Sequence, residues 1–243
     1  MIKRLISGNP LIYGLCSSVW LIQNRYNIII DSGSRICRDQ LSEALRKNGV
    51  TPEMIDGVVY THLHMDHCWN HVLFPDVPVF VSGLERQRME GFLAKISNHP
   101  GHFADEMRQY LGFPDDLPSF LLNNMTKFFF HDQIPQLILS GRVLQEADLR
   151  AMGLAPVPTP GHTAGHIAFV YEKEDNRYCF SGDALMNHES YRNPEQNMIF
   201  NEDWAQYFAS KKILEAKVGW FCPGHGQEFS SGGSEAIGTE NQN

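Results

Sequence analysis

The sequence is poor in positive charge: 20 Lys and Arg stand against 28 Asp and Glu, for a formal net charge of −8. It therefore lacks the electrostatic term that supplies most non-specific affinity for nucleic acid, and DNA or RNA is an unfavourable partner. It also lacks any apolar run near the roughly 18 residues that a membrane span needs. The opening residues, Met1-Ile2-Lys3-Arg4-Leu5-Ile6-Ser7-Gly8, turn polar too quickly for a secretory signal. Cysteine is sparse and unpatterned: Cys16, Cys37, Cys68, Cys179 and Cys222 are odd in number and hold no Cys-x-x-Cys pair. That pattern predicts buried free thiols in a reducing, cytoplasmic setting, not a disulfide framework.

What is present reads as one large α/β domain. Apolar residues make up 42% and charged residues 20% of 243 positions, enough for a continuous core. Short apolar runs predict strands at 2–6, 17–22, 26–31, 57–61, 77–81, 142–145, 154–158, 166–171 and 177–181. Lys173-Glu174-Asp175-Asn176 joins the last two as a hairpin turn. Helical spacing of Leu41, Ala44 and Leu45 predicts a helix from Arg38 to Asn48, stopped by Gly49. A second amphipathic helix is expected from Asp203 to Ala216, capped by Asn201 or Asp203.

Between about 84 and 140 the character changes. Phe103, Met107, Tyr110 and Leu111 recur at helical spacing, Gly112, Pro114 and Pro118 break the pattern, and Phe120, Leu121, Met125 and Phe128-Phe129-Phe130 are apolar. This stretch reads as a helical insertion. It serves as a lid over a site, as ordinary packing, or as the interface of a homo-oligomer. Residues 230–243 hold almost nothing to bury and predict a disordered tail after a domain spanning 1–229.

One stretch carries the chemistry. His62-Leu63-His64-Met65-Asp66-His67 packs four metal-ligand side chains into six positions, directly after the strand-like Gly57-Val58-Val59-Tyr60-Thr61. Imidazole and carboxylate together suit zinc, iron or manganese. Three further apolar runs end in a small turn and a ligand residue: Pro160-Gly161-His162, Ser181-Gly182-Asp183 and Pro223-Gly224-His225. A rigid sheet that ends in ligand-bearing loops is a common way to aim a site.

The set as a whole, His-x-His-x-Asp-His followed by a His, an Asp and a His, resembles the metallo-β-lactamase superfamily of metal-dependent hydrolases. The resemblance runs from about residue 17 to 229. It implies an αβ/βα sandwich of two sheets between helical layers, with two divalent metal ions, zinc foremost. His62, His64 and His162 would hold one ion, Asp66, His67 and His225 the other, and Asp183 would bridge them. Two cations about 3.5–4 Å apart share a hydroxide that is a nucleophile near neutral pH. Asp66 would position it and pass its proton to the leaving group. Asp31, in Ile28-Ile29-Ile30-Asp31, would orient ligands from behind. His166 would hydrogen-bond nearby without completing the metal shell. His188 and Tyr191, after the bridging aspartate, fall where relatives often contact substrate.

The resemblance implies a small-molecule substrate with an ester, lactone or thioester bond. N-acyl homoserine lactonases place a tyrosine three residues after the bridging aspartate, where this chain has Met186. β-Lactamases of the commonest subclasses use a cysteine ligand where this chain has Asp183. Two rivals keep the same loop. A phosphodiesterase or nuclease would use the metal pair on phosphorus but needs a basic track. A persulfide dioxygenase would bind a single iron.

Overall fold

The computed structural model describes residues 1–8, 16–98, 103–111, 133–193, 201–216 and 218–232. The N-terminal apolar runs pair with their neighbours in sequence: β1 (Ile2–Ile6), β2 (Val19–Gln23) and β3 (Asn27–Ile30) form an antiparallel meander. Helix α1 (Arg38–Lys47) then carries the chain back, as a parallel pairing requires, so that β4 (Gly57–Val59) lies parallel to β3. A four-residue helix, α2 (Met65–Cys68), and a 3-10 segment at Trp69–Leu73 follow, and β5 (Val79–Phe80) closes the sheet parallel to β4.

The helices α3 (Gly83–Asn98), α4 (Phe103–Leu111), α5 (Ile134–Ser140) and α6 (Glu146–Ala151) intervene. The second sheet follows as β6 (Leu154–Pro158), β7 (Ile167–Lys173) and β8 (Asn176–Gly182). Glu174 and Asp175 close the expected β7–β8 hairpin, with Glu174 left-handed at φ 55°. After α7 (His188–Arg192) and α8 (Trp204–Glu215), β9 (Trp220–Pro223) pairs parallel with β8 and β10 (Phe229–Ser230) edges the sheet. Asp203 caps α8, its Oδ1 accepting from the Gln206 amide at 3.0 Å.

Strand alternation separates three cores. Trp20, Ile22, Ile28, Ile30, Val59 and Phe80 face Leu154, Phe169, Phe180 and Cys222 of the second sheet. On the other face of the first sheet, Leu21, Ile29, Val58 and Val79 pack against Leu41, Leu45, Met89, Phe92 and Ile138 of the helices. On the far face of the second, Ala168, Cys179 and Phe221 pack against Leu214. The order is helix, sheet, sheet, helix, the αβ/βα sandwich expected from the motif set.

Several expectations need correction. Cys16 and Cys37 are not free thiols: they form a disulfide, with Cα atoms 6.8 Å apart, tying the approach to β2 to the start of α1. Cys68, Cys179 and Cys222 are free and buried, as expected. The strand at 142–145 is reduced to an isolated bridge between Val79 and Val143, because α6 begins at Glu146. Ser230 pairs with Trp220, and the Ser231 amide donates to the Gly219 carbonyl at 2.9 Å. Ordered structure therefore extends past the expected start of the tail; residues 233–243 lie outside the described residues. So do Phe120, Leu121, Met125 and Phe128–Phe130 of the insertion. Among the described residues no helix is long and apolar enough to cross a membrane.

Candidate metal centre

Every ligand candidate, and Asp31 behind them, follows the C-terminal end of a strand. Asp31 follows β3, the segment His62–His67 follows β4, His162 follows β6, Asp183 follows β8 and His225 follows β9. Within each sheet these strands run in one direction, which gathers their C-terminal loops at one edge. Close backbone approach there needs glycine. A Cβ on Gly224 would lie 2.1 Å from Asp183 Oδ1, and one on Gly161 (φ 132°) would lie 2.2 Å from the Tyr207 amide nitrogen.

The loops bring three overlapping groups together: His62, His64 and His162; His62, His67 and Asp183; and Asp66, His67 and His225. In each, the potential ligand atoms lie within 4.8 Å of one another, and all the residues are buried. Asp183 lies between them. Its Oδ1 is 3.3 Å from His67 Nε2, and its Oδ2 is 3.5 Å from both His162 Nε2 and His225 Nε2. Asp66 Oδ2 is 3.4 Å from His225 Nε2.

The hydrogen bonds behind the rings decide which nitrogen faces inward. Asp31 Oδ2 accepts from His67 Nδ1 at 2.8 Å and from Thr61 Oγ1 at 2.9 Å, and its Oδ1 accepts from the Thr61 amide at 2.9 Å. With its proton given to Asp31, Thr61 Oγ1 accepts from His62 Nδ1 at 3.1 Å. Asn201 Oδ1 accepts from His162 Nδ1 at 3.2 Å. His62, His67 and His162 thus each turn Nε2 toward the centre, the arrangement that carboxylate or carbonyl partners impose on ligating imidazoles. His62 Nε2 is buried without a hydrogen-bond partner, and His64 Nδ1 lies only 3.0 Å from His162 Nε2. Buried imidazole nitrogens converging in this way fit a cation with nitrogen and oxygen ligands.

Electrostatics agree. Burial pushes His62 and His64 well below the usual imidazole range, aided by neighbouring histidines, so both stay neutral and keep a lone pair. Burial opposes charge on His67 as well, but Asp183, Asp66 and Asp31 overcome it and raise its pKa well above normal. His225 is likewise lifted against burial, to about 9, chiefly by Asp183. The carboxyls answer in kind: His67 and His225 outweigh burial and hold Asp183 far below, and Asp66 below, the usual carboxylate value. The site attracts positive charge.

His166 is engaged elsewhere. Its Nε2 accepts from the Asp183 amide at 3.1 Å and its Nδ1 donates to Thr159 Oγ1 at 2.8 Å, so it steadies Asp183 and leaves no nitrogen for an ion. Asp31 is left-handed at φ 54°, a strained conformation for a non-glycine residue at the turn out of β3. Tyr191 is drawn away: its hydroxyl donates to the Ser231 carbonyl at 2.9 Å and its ring packs on Phe221 and Phe229. The His188 ring also packs on Phe229. Thr61 and Asn201 escape motif reading, since they act only through the second nitrogen of a ligand candidate.

The metallo-beta-lactamase superfamily model matches residues 13–225, and the chain belongs to that superfamily. Among curated relatives, a protein named probable metallo-hydrolase from Methanocaldococcus jannaschii is 28% identical over 66% of this chain and 65% of its own length. Metallo-beta-lactamase domain-containing protein 1 of Mus musculus is 46% identical, but over 23% of this chain and 21% of its own. The chain thus matches less than two thirds of either relative's length. Among solved structures, AidC, a dizinc quorum-quenching lactonase bound to its product, superposes with a TM-score of 0.61 at 17% identity. That alignment covers 86% of this chain and 72% of the lactonase, a likeness of fold.

Proposed function

We propose that the chain is a metal-dependent hydrolase of small ester, lactone or thioester substrates, with a dinuclear centre. His62, His64 and His162 would hold one divalent ion and Asp66, His67 and His225 the other, with Asp183 placed to serve both. The observation that supports this is the position of Asp183, within 3.5 Å of ring nitrogens from both groups. Zinc fits the mixed imidazole and carboxylate set, with iron or manganese as alternatives. When bound, such ions supply a nucleophile at neutral pH and polarise the oxygen of the bond under attack.

The remaining work falls to the chain. Asp66 at 6% and His64 at 7% exposure are the least enclosed of the ligand residues, all of which are buried. The Ser17 amide donates to the Asp66 carbonyl at 3.1 Å and fixes its backbone. His67 and His225 hold the Asp66 carboxyl below its ordinary value, so it is ionised at neutral pH; its proposed role is to accept the proton of the attacking water. It then returns that proton to the leaving group, a transfer worth about a hundred- to ten-thousandfold in rate. The acidic composition disfavours nucleic acid as substrate.

Asp66→Asn tests the assignment. Metal-loaded Asp66→Asn should lose at least about a hundredfold in ester or lactone hydrolysis while keeping the ion at His62, His64 and His162. Turnover close to that of the parent protein would show that Asp66 does not carry the proton.

A further inference from the structure

The backbone of Leu63, between His62 and His64, is held on both sides by helices of the insertion. Its amide donates to Glu85 Oε2 of α3 at 3.0 Å, and its carbonyl accepts from the Tyr110 hydroxyl of α4 at 3.0 Å. Both partners are buried, and burial lifts the Tyr110 phenol well above its ordinary pKa, so it remains a donor. Arg88 links the two. Its guanidinium lies 4.1 Å from the Tyr110 ring centroid and 3.8 Å from Glu85 Oε2, and it donates to the Tyr110 carbonyl. It also pairs with Glu202 at 2.7 Å, and Glu202 Oε2 accepts from the Ala164 amide at 2.8 Å, two residues beyond His162. The Glu202 amide donates to the His162 carbonyl at 3.3 Å.

We infer that Glu85, Tyr110 and Arg88 form a clamp through which helices α3 and α4 position His62, His64 and His162 as one ligand group. These helices thus act on the metal centre through the backbone that carries its ligands. Leu63 has no side chain in the group, so its role is to fix the directions of the two histidines beside it. An unclamped Leu63 would let both imidazoles turn, and outer partners of this kind typically change metal affinity by about ten- to a hundredfold. The clamp's bonds end on Leu63, on the Ala164 amide and on the His162 carbonyl, within the segments that carry the three histidines. The effect should fall on one ion and spare the other.

The inference rests on the proposed division of the ligands between two ions, and metal binding can be read without any substrate. The test uses the full chain as wild type, Tyr110→Phe, Glu85→Ala and Glu85→Gln. Cobalt(II) affinity of each site is measured by chelator competition and by the visible absorption of the bound ion, alongside the melting temperature of the metal-free protein. In Tyr110→Phe and Glu85→Ala the three-histidine ion should bind about ten- to a hundredfold more weakly with an altered spectrum, and the second ion should be unchanged. Glu85→Gln keeps an acceptor oxygen and should restore most of the affinity. Tyr110→Phe removes a single oxygen and carries the test if Glu85→Ala does not fold. Unchanged cobalt affinity and spectrum would overturn the clamp. So would equal weakening of both ions, or a lower melting temperature with normal metal affinity, since either marks a merely structural role. A wild-type chain without an ion at the three histidines would also overturn it. A chain that binds both ions, shows the selective loss and hydrolyses no ester would leave the clamp standing and refute the proposed reaction.

Discussion

Asp31 Oδ2 accepts a hydrogen bond from His67 Nδ1 at 2.8 Å, joining the end of β3 to a metal-ligand candidate 36 residues later. The same carboxylate receives two bonds from Thr61, which in turn orients His62. One left-handed aspartate thus fixes a ring in each of the two ligand groups. Asp31→Asn can present an NH2 where His67 needs an acceptor. It should weaken metal binding about ten- to a hundredfold at the Asp66–His67–His225 position. Chelator competition on the purified variant measures this, and parent-like affinity would remove Asp31 from the site.

His71 gives the fold an acid-sensitive point outside the metal centre. Burial pushes its pKa down to about 4, and its Nδ1 lies 2.9 Å from the Tyr60 hydroxyl. The unfolded chain takes up that proton near pH 6.5 and the folded chain only near 4. Between those values the unfolded state binds more protons, so stability rises with pH and is lost as pH falls from about 6.5 to about 4. The loss attributable to His71 is on the order of 3 kcal/mol. Urea midpoints of the metal-free protein at several pH values should show a shallower decline in His71→Gln than in the parent. Parallel curves would mean that His71 titrates normally.

The Cys16–Cys37 disulfide closes a loop of 21 residues in sequence. A crosslink of that span stabilises by about 3 kcal/mol, chiefly by restricting the unfolded chain. Reduction, or Cys16→Ser with Cys37→Ser, should lower the denaturant midpoint accordingly. Mass spectrometry of the oxidised protein should place the bond between these two residues. A midpoint unaffected by reductant would show that the pair contributes nothing.

The metal-ligand candidates were legible in the sequence because each sits at the end of an apolar strand, behind a short turn, with four of them in six consecutive positions. The β2, β3, β7 and β8 strands were legible for a related reason: their apolar runs are bounded by turn residues such as Asn24 and Asp175. Partners that meet only through the fold were not. Glu85 and Tyr110 reach the Leu63 backbone from 22 and 47 residues away, and a backbone bond leaves no mark in residue spacing. Cys16 and Cys37 look like isolated thiols until β2 and α1 bring them together. Arg142 to Gln145 has strand-like composition but is cut short by a helix whose Gln145 and Asp148 form a capping box. Tyr191 sits at a promising distance from Asp183 in sequence, yet α7 turns its ring onto Phe221 and Phe229.

The dinuclear centre is tested most directly by elemental analysis of protein grown with ample metal, alongside hydrolysis of simple esters and lactones. Close to two ions per chain, falling to one in a His225→Ala variant, with hydrolysis that disappears on chelation and returns on adding zinc, is the expected result. Saturation at a single iron per chain, with oxygen consumed in the presence of a persulfide and no hydrolysis, would contradict both the metal count and the reaction.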